Sequence, residues 1–191
     1  MWGRLLLVGM LGLGGMPAAW ASMPVVASAS AVAGPDDPYA MPPEGPFARG
    51  GGSGPLVITY KNGRIVRVAP DMDEEGKQVY FAQIHIAPNR HSIGWLAEYD
   101  ACAQDKPCPL ALVVWHAGRP TVRFTAHGGV IESWQFLAGG REIAVQARAP
   151  DGTARYWLLA TASGLSLAHW RAGEHMPPPP WLKFFTHAVR P

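Results

Sequence analysis

Ile93-Gly-Trp-Leu-Ala-Glu-Tyr-Asp100, Ala101-Cys-Ala-Gln-Asp-Lys-Pro-Cys108, Pro109-Leu-Ala-Leu-Val-Val-Trp-His116: this stretch decides how the chain is read. Ile93 to Tyr99 is rich in aliphatic and aromatic residues and too short for a stable helix. Leu110 to His116 is a β-branched and aromatic run bounded by Pro109 and Gly118. Both read as strands. The loop between them carries both cysteines of the chain, Cys102 and Cys108, around Ala-Gln-Asp-Lys-Pro. In an oxidising compartment the simplest reading of such a pair is a disulfide. Closing so small a loop stabilises a fold by about 2 kcal/mol in the chain-entropy model, less any strain. The spacing is not C-x-x-C and no βαβ pattern surrounds it, so a redox-active pair is the weaker reading.

The compartment is read at the other end of the chain. Arg4 supplies a positive n-region, Leu5 to Leu13 an apolar h-region, and Ala19-Trp20-Ala21 a small-residue cleavage site before Ser22. Residues 1–21 are therefore expected to be a secretory signal peptide. The apolar core is broken by Gly14, Gly15 and Pro17, which makes it short for a membrane span. No cysteine stands directly after the cleavage site, so a lipoprotein anchor is not supported, and there is no second long apolar run. The expectation is a periplasmic or secreted bacterial protein with no membrane span in the mature chain.

The whole chain has 16 Lys+Arg against 14 Asp+Glu, and losing Arg4 with the signal leaves 15 against 14. A near-neutral chain with interspersed signs has no basic patch dense enough to neutralise a phosphate backbone, so nucleic-acid binding is disfavoured. Residues 22–55 shift to Ala, Pro, Gly and Ser and are expected to be a disordered linker. Residues 56–191 are the size of one domain.

Within that domain, Leu56–Tyr60 and Ile65–Ala69 flank Asn62-Gly63, the composition of a type I′ hairpin. The acidic turn from Pro70 to Gly76 lacks the spacing of a calcium loop and reads as a solvated turn. Strands follow at Val79–Ala87, Ile93–Tyr99, Leu110–His116, Thr121–Phe124, Val130–Leu137, Glu142–Ala149, Arg155–Thr161 and Leu165–Trp170. Between them fall turns such as Pro88-Asn-Arg90, Gly118-Arg-Pro120, Gly139-Gly140, Asp151-Gly152 and Ser163-Gly164. This is an all-β antiparallel meander. Val79–Phe124 and Val130–Trp170 each parse as a four-stranded unit of about 40 residues.

The second unit resembles a β-propeller blade, in Trp134-Gln-Phe136 before Gly139-Gly140 and in Tyr156-Trp-Leu-Leu-Ala-Thr-Ala-Ser-Gly-Leu-Ser-Leu167. It departs from that pattern at Ala160 and Thr161, where a blade commonly has Asp. Two such units cannot close a propeller, so the expected fold is two blade-like units plus an N-terminal hairpin, sandwich-like or incomplete-propeller-like, with oligomerisation as a way to complete the contacts. The chain also resembles a group of small exported bacterial proteins of uncharacterised function. The resemblance rests on Gly94-Trp-Leu-Ala-Glu-Tyr99, the cysteine-containing loop, Pro109-Leu-Ala-Leu-Val113, Trp134–Gly140 and Thr161-Ala-Ser-Gly-Leu165. It covers about half the mature chain and implies a fold of this kind without a mechanism.

The tail, Met176-Pro-Pro-Pro-Pro-Trp181-Leu-Lys-Phe-Phe185, starts as polyproline II and then presents aromatic residues that call for burial against a sheet. The strand tryptophans Trp95, Trp115, Trp134, Trp157 and Trp170 are expected mostly in the core. Seven histidines (His85, His91, His116, His127, His169, His175 and His187) are scattered with no H-E-x-x-H or H-x-H spacing. G-x-S-x-G, S-x-x-K and P-loop patterns are absent as well. Convergence of Glu98, Asp100, His127 and Glu132 around the cysteine loop is conceivable but not required by spacing, and an exposed Glu98 is the default. The sequence thus assigns no catalytic residue, metal or cofactor.

The expectation is a non-catalytic binding protein of the cell envelope, its partner a protein. The cysteine loop with Glu98, Asp100, Asp105 and Lys106 is the candidate surface. An envelope hydrolase or metal-dependent enzyme, and an enzyme inhibitor or immunity protein, are the alternatives.

Overall fold

The computed structural model describes residues 23–33, 51–100 and 107–185. Among them run twelve strands in chain order. They are β1 (Val26–Ala31), β2 (Leu56–Tyr60), β3 (Ile65–Val68), β4 (Met72–Asp73), β5 (Gly76–Ile86) and β6 (Ser92–Tyr99). The rest are β7 (Cys108–His116), β8 (Val122–Thr125), β9 (Val130–Leu137), β10 (Glu142–Arg148), β11 (Ala154–Ala160) and β12 (Ser166–Arg171). They form three antiparallel sheets, β1-β2-β3, β4-β5-β6-β7-β8 and β12-β11-β10-β9. The all-β meander is therefore observed. β5–β8 and β9–β12 are the two four-stranded units, with two-residue β4 added to the first.

β6 explains why Ile93–Tyr99 is apolar almost throughout. On one face Ile93, Trp95, Ala97 and Tyr99 join Val26, Leu56, Ile58, Tyr60 and Phe81 of the flanking strands in one core. On the other, Leu96, together with Leu112 and Val114 of β7, meets Ile131, Trp134, Ile143, Val145 and Leu159 of the β9–β12 sheet. Side chains alternate across a strand, so a strand covered on both faces loses the polar half of its pattern. Gly94 belongs to this packing. A Cβ there would collide with the Trp134 ring, whose Cζ3 would lie 2.9 Å away. The ring also stacks on His85, which faces Gly94 across the β5–β6 ladder, with centroids 4.7 Å apart.

The outer face of the β9–β12 sheet has its own cover. The tail makes a short 3₁₀ helix, Pro180–Phe185, whose Leu182 and Phe185 bury against Ala144, Tyr156 and Trp170. The aromatic tail thus closes over a sheet. Of the strand tryptophans, Trp95, Trp134, Trp157 and Trp170 are buried and Trp115 is half-buried.

Two readings are corrected. Residues 22–55 were expected to be a disordered linker, yet Val26–Ala31 is strand β1, paired with β2 from Val26↔Tyr60 to Ala31↔Leu56. Its hold is non-local: Arg90 Nε donates to Val26 O at 2.7 Å and Nη2 to Ala27 O at 2.6 Å. The acidic turn is also more than a solvated loop. Asp73 Oδ2 accepts from the Tyr99 hydroxyl and pairs with Arg123. Asp73 and Arg123 sit on β4 and β8, the opposite edges of the five-stranded sheet, so their contact reports a sheet curled into half a barrel. Burial pushes the Tyr99 hydroxyl up, and Asp71 and Glu75 add to it, which keeps the phenol a donor.

Candidate functional site

In a meander every second connection returns to the same end. Here β5–β6, β7–β8, β9–β10 and β11–β12 do so, and between them lies a cavity of about 380 Å³. Asn89, His91 and Ser92 line it from the first connection, and His116, Ala117 and Arg119 from the second. Gly140 and Arg141 come from the third, Thr161 and Ala162 from the fourth, and Met23 precedes β1. The walls are more apolar than polar.

The β5–β6 connection is held by Arg90 N–H to Ala87 O at 2.8 Å and Ala87 N–H to Ser92 O at 2.9 Å. It needs a left-handed residue, and Arg90 supplies it at φ +59. That conformation costs a non-glycine residue about 1 kcal/mol, offset by the side-chain bonds of Arg90 to β1. The Asn89 Oδ1 accepts from His91 N–H at 3.0 Å, which leaves the Asn89 amide nitrogen as a donor.

Ser92 and His116 face each other across the β6–β7 ladder. The Ser92 Oγ lies 2.9 Å from His116 Nδ1, and His116 Nε2 lies 3.1 Å from Thr161 O. A carbonyl oxygen only accepts, so Nε2 carries the proton and Nδ1 receives the Ser92 hydroxyl. Burial holds His116 below the ordinary imidazole range; the Thr161 bond works against this and Arg119 works with it. A neutral imidazole with a hydroxyl on one nitrogen and a carbonyl on the other is the result. Thr161 is 3% exposed, and its Oγ1 is buried without a hydrogen-bond partner among the described residues. Among the described residues neither Arg119 nor Arg141 forms an ion pair, and no carboxylate lines the cavity.

The surface expected from the sequence lies at the other end of β6, about 23 Å away at the usual strand rise. Glu98 and Asp100 are near each other there. Cys102, Asp105 and Lys106 lie outside the described residues, and so does the expected Cys102–Cys108 bridge. Cys108 is buried at the start of β7, opposite Tyr99. Asp100 is exposed, but Glu98 is not the exposed carboxylate that was the default reading. It is half-buried between Tyr80 and Pro109, and burial pushes its carboxyl up to about 7. Glu132 accepts from Arg148 Nε at 2.5 Å and Gln146 Nε2 at 2.9 Å. Among the described residues no three His, Cys, Asp or Glu side chains gather as a metal set. No helix there is long and apolar enough to cross a membrane.

Ser92, His116, Arg119, Arg141 and Thr161 were not singled out as a site by sequence reasoning. The available signal was the alternation of strands and turns, since every second connection of a meander returns to the same end; the turn residues themselves do not mark which end holds the cavity. Comparison of the chain with protein-family models, with curated proteins and with solved structures gives no match.

Proposed function

We propose that the protein is an exported, non-catalytic binding protein of the bacterial cell envelope, and that its cavity at the turn end seats a small molecule. The observation that carries this reading is the wall itself. Four separate hairpin connections bring polar residues, Asn89, His116, Arg141 and Thr161 among them, to one concave place. Export is supported by the signal-like residues 1–21, and an oxidising compartment suits the proposed Cys102–Cys108 bridge. The loop carrying Asp105 and Lys106, beside Glu98 and Asp100, is proposed as a second surface, for an envelope protein.

Native mass spectrometry of the exported chain, before and after incubation with an envelope extract, tests this. A bound small-molecule mass in the natural chain, absent from Ala162→Trp at the cavity wall, is expected. No adduct in any extract overturns the reading.

A second reading, an envelope hydrolase, is favoured by the Ser92–His116–Thr161 chain of hydrogen bonds. His116 Nδ1 is placed to take the Ser92 proton as the hydroxyl attacks an ester. Labelling by a fluorophosphonate, lost in Ser92→Ala and in His116→Asn, is its expected signature; an unlabelled natural chain excludes it.

A further inference from the structure

We propose that the cavity at the turn end is an oxyanion site, and that its ligand is a small organic molecule with an apolar body and one carboxylate or phosphate group. The inference rests on the binding reading above and gives that ligand its chemistry. The polar groups of the wall are mostly donors once their internal bonds are assigned; the exception is His91, whose Nδ1 faces Pro24 O at 3.4 Å and whose neutral ring keeps Nε2 as an acceptor. Thr161 O and His116 Nε2–H satisfy each other, and the Ser92 hydroxyl is spent on His116 Nδ1. Asn89 has used its oxygen on His91 N–H and keeps its amide hydrogens. The Thr161 hydroxyl has no accessible surface and takes no part. Arg119 and Arg141 bring two guanidinium forks from different connections, with no ion pair among the described residues.

A wall rich in donors, with two positive charges and no carboxylate among the described residues, complements a negatively charged acceptor group. Guanidinium recognises carboxylate and phosphate in two-point geometry. A neutral or cationic ligand would forgo two-point pairing with the exposed guanidinium groups of Arg119 and Arg141, which is what would make the site selective. Met23, Ala117 and Ala162 supply the apolar part of the wall, and about 380 Å³ lies in the range of small-molecule sites.

Calorimetric titration of the purified exported chain with inorganic phosphate, phenyl phosphate and benzoate, beside benzyl alcohol as the neutral counterpart, tests the assignment. At least one of phenyl phosphate and benzoate should bind saturably, and about tenfold or more tighter than benzyl alcohol. Which of the two wins identifies phosphate or carboxylate as the natural group, and inorganic phosphate reports the contribution of the head alone. Arg119→Ala/Arg141→Ala should weaken that binding about tenfold or more, Arg119→Lys/Arg141→Lys less, and Arg67→Ala on the distant hairpin not at all. Equal binding of benzyl alcohol, or unchanged affinity in the folded double alanine variant, overturns the oxyanion assignment. If the extract-derived adduct nevertheless persists in that variant, the binding reading stands without it. If no probe and no extract ligand binds, both fall.

Discussion

Glu98 places an ionisable group on the strand that both cores share, and it does so at a cost that depends on pH. Its carboxyl is ordinarily at 4.5 and is raised by burial to about 7. Between those values the folded chain holds a proton that the unfolded chain has released. The contribution of Glu98 to stability therefore falls as pH rises from about 4.5 to about 7, and levels off above. Glu98→Gln keeps the shape of the neutral acid and should remove that slope. Relative to the natural chain it should gain on the order of 2 kcal/mol at pH 8, after allowance for partial solvation, and nothing at pH 4. Urea midpoints at the two pH values measure it, and parallel pH profiles would refute it. Gly94 makes a different residue-scale prediction. Any side chain there displaces the Trp134 ring, so Gly94→Ala should destabilise by about 1–3 kcal/mol. Most of that loss should vanish in a Trp134→Leu background, a double-mutant cycle read by urea unfolding.

At the scale of elements, legibility followed how local the cause was. β6 and β7 declare themselves in Ile93–Tyr99 and Leu110–His116 because aromatic and β-branched residues, bounded by turn residues, make a strand wherever they are covered. β1 does not. Val26-Ala-Ser-Ala-Ser-Ala31 has weak strand composition, and what orders it is the β2 ladder and two bonds from Arg90, both far along the chain. β4 is equally silent, since its Asp73 is engaged from Tyr99 and Arg123 across a curled sheet. Arg90→Ala should therefore loosen β1 selectively. Hydrogen exchange at residues 26–31 should rise while β6 amides stay protected, and Arg90→Gly should behave alike because it keeps the turn but loses the clamp. Unchanged exchange in β1 would show that the β2 ladder alone suffices. The tail was legible from its aromatic run. Leu182, 2% exposed under the outer sheet, should cost about 2–4 kcal/mol as Leu182→Ala in urea unfolding.

For the whole molecule, the sequence marks the turns but not their meeting. Ser92 and His116 are 24 positions apart and His116 and Thr161 another 45, and only the strand registers bring them together. Those registers include irregularities at Ala97/Glu98 and Ala82/His85, which no local pattern announces. A one-residue slip would turn every side chain of a strand to its other face. The same interlocking predicts how the molecule unfolds. β6 and β7 contribute to the core beneath β1–β3 and to the core facing β9–β12, so neither can open without exposing apolar surface of the other. Unfolding in urea should be one transition, with tryptophan fluorescence and far-ultraviolet circular dichroism superimposable. Leu96→Ala, fully buried on the β9–β12 side, should lower both midpoints together, by about 2–4 kcal/mol in stability. Trp95 lies in one core and Trp134 and Trp157 in the other, so a fluorescence transition that split in two in this variant, one part holding its midpoint, would mean the two cores unfold independently, and β6 joins them in space without coupling them in energy.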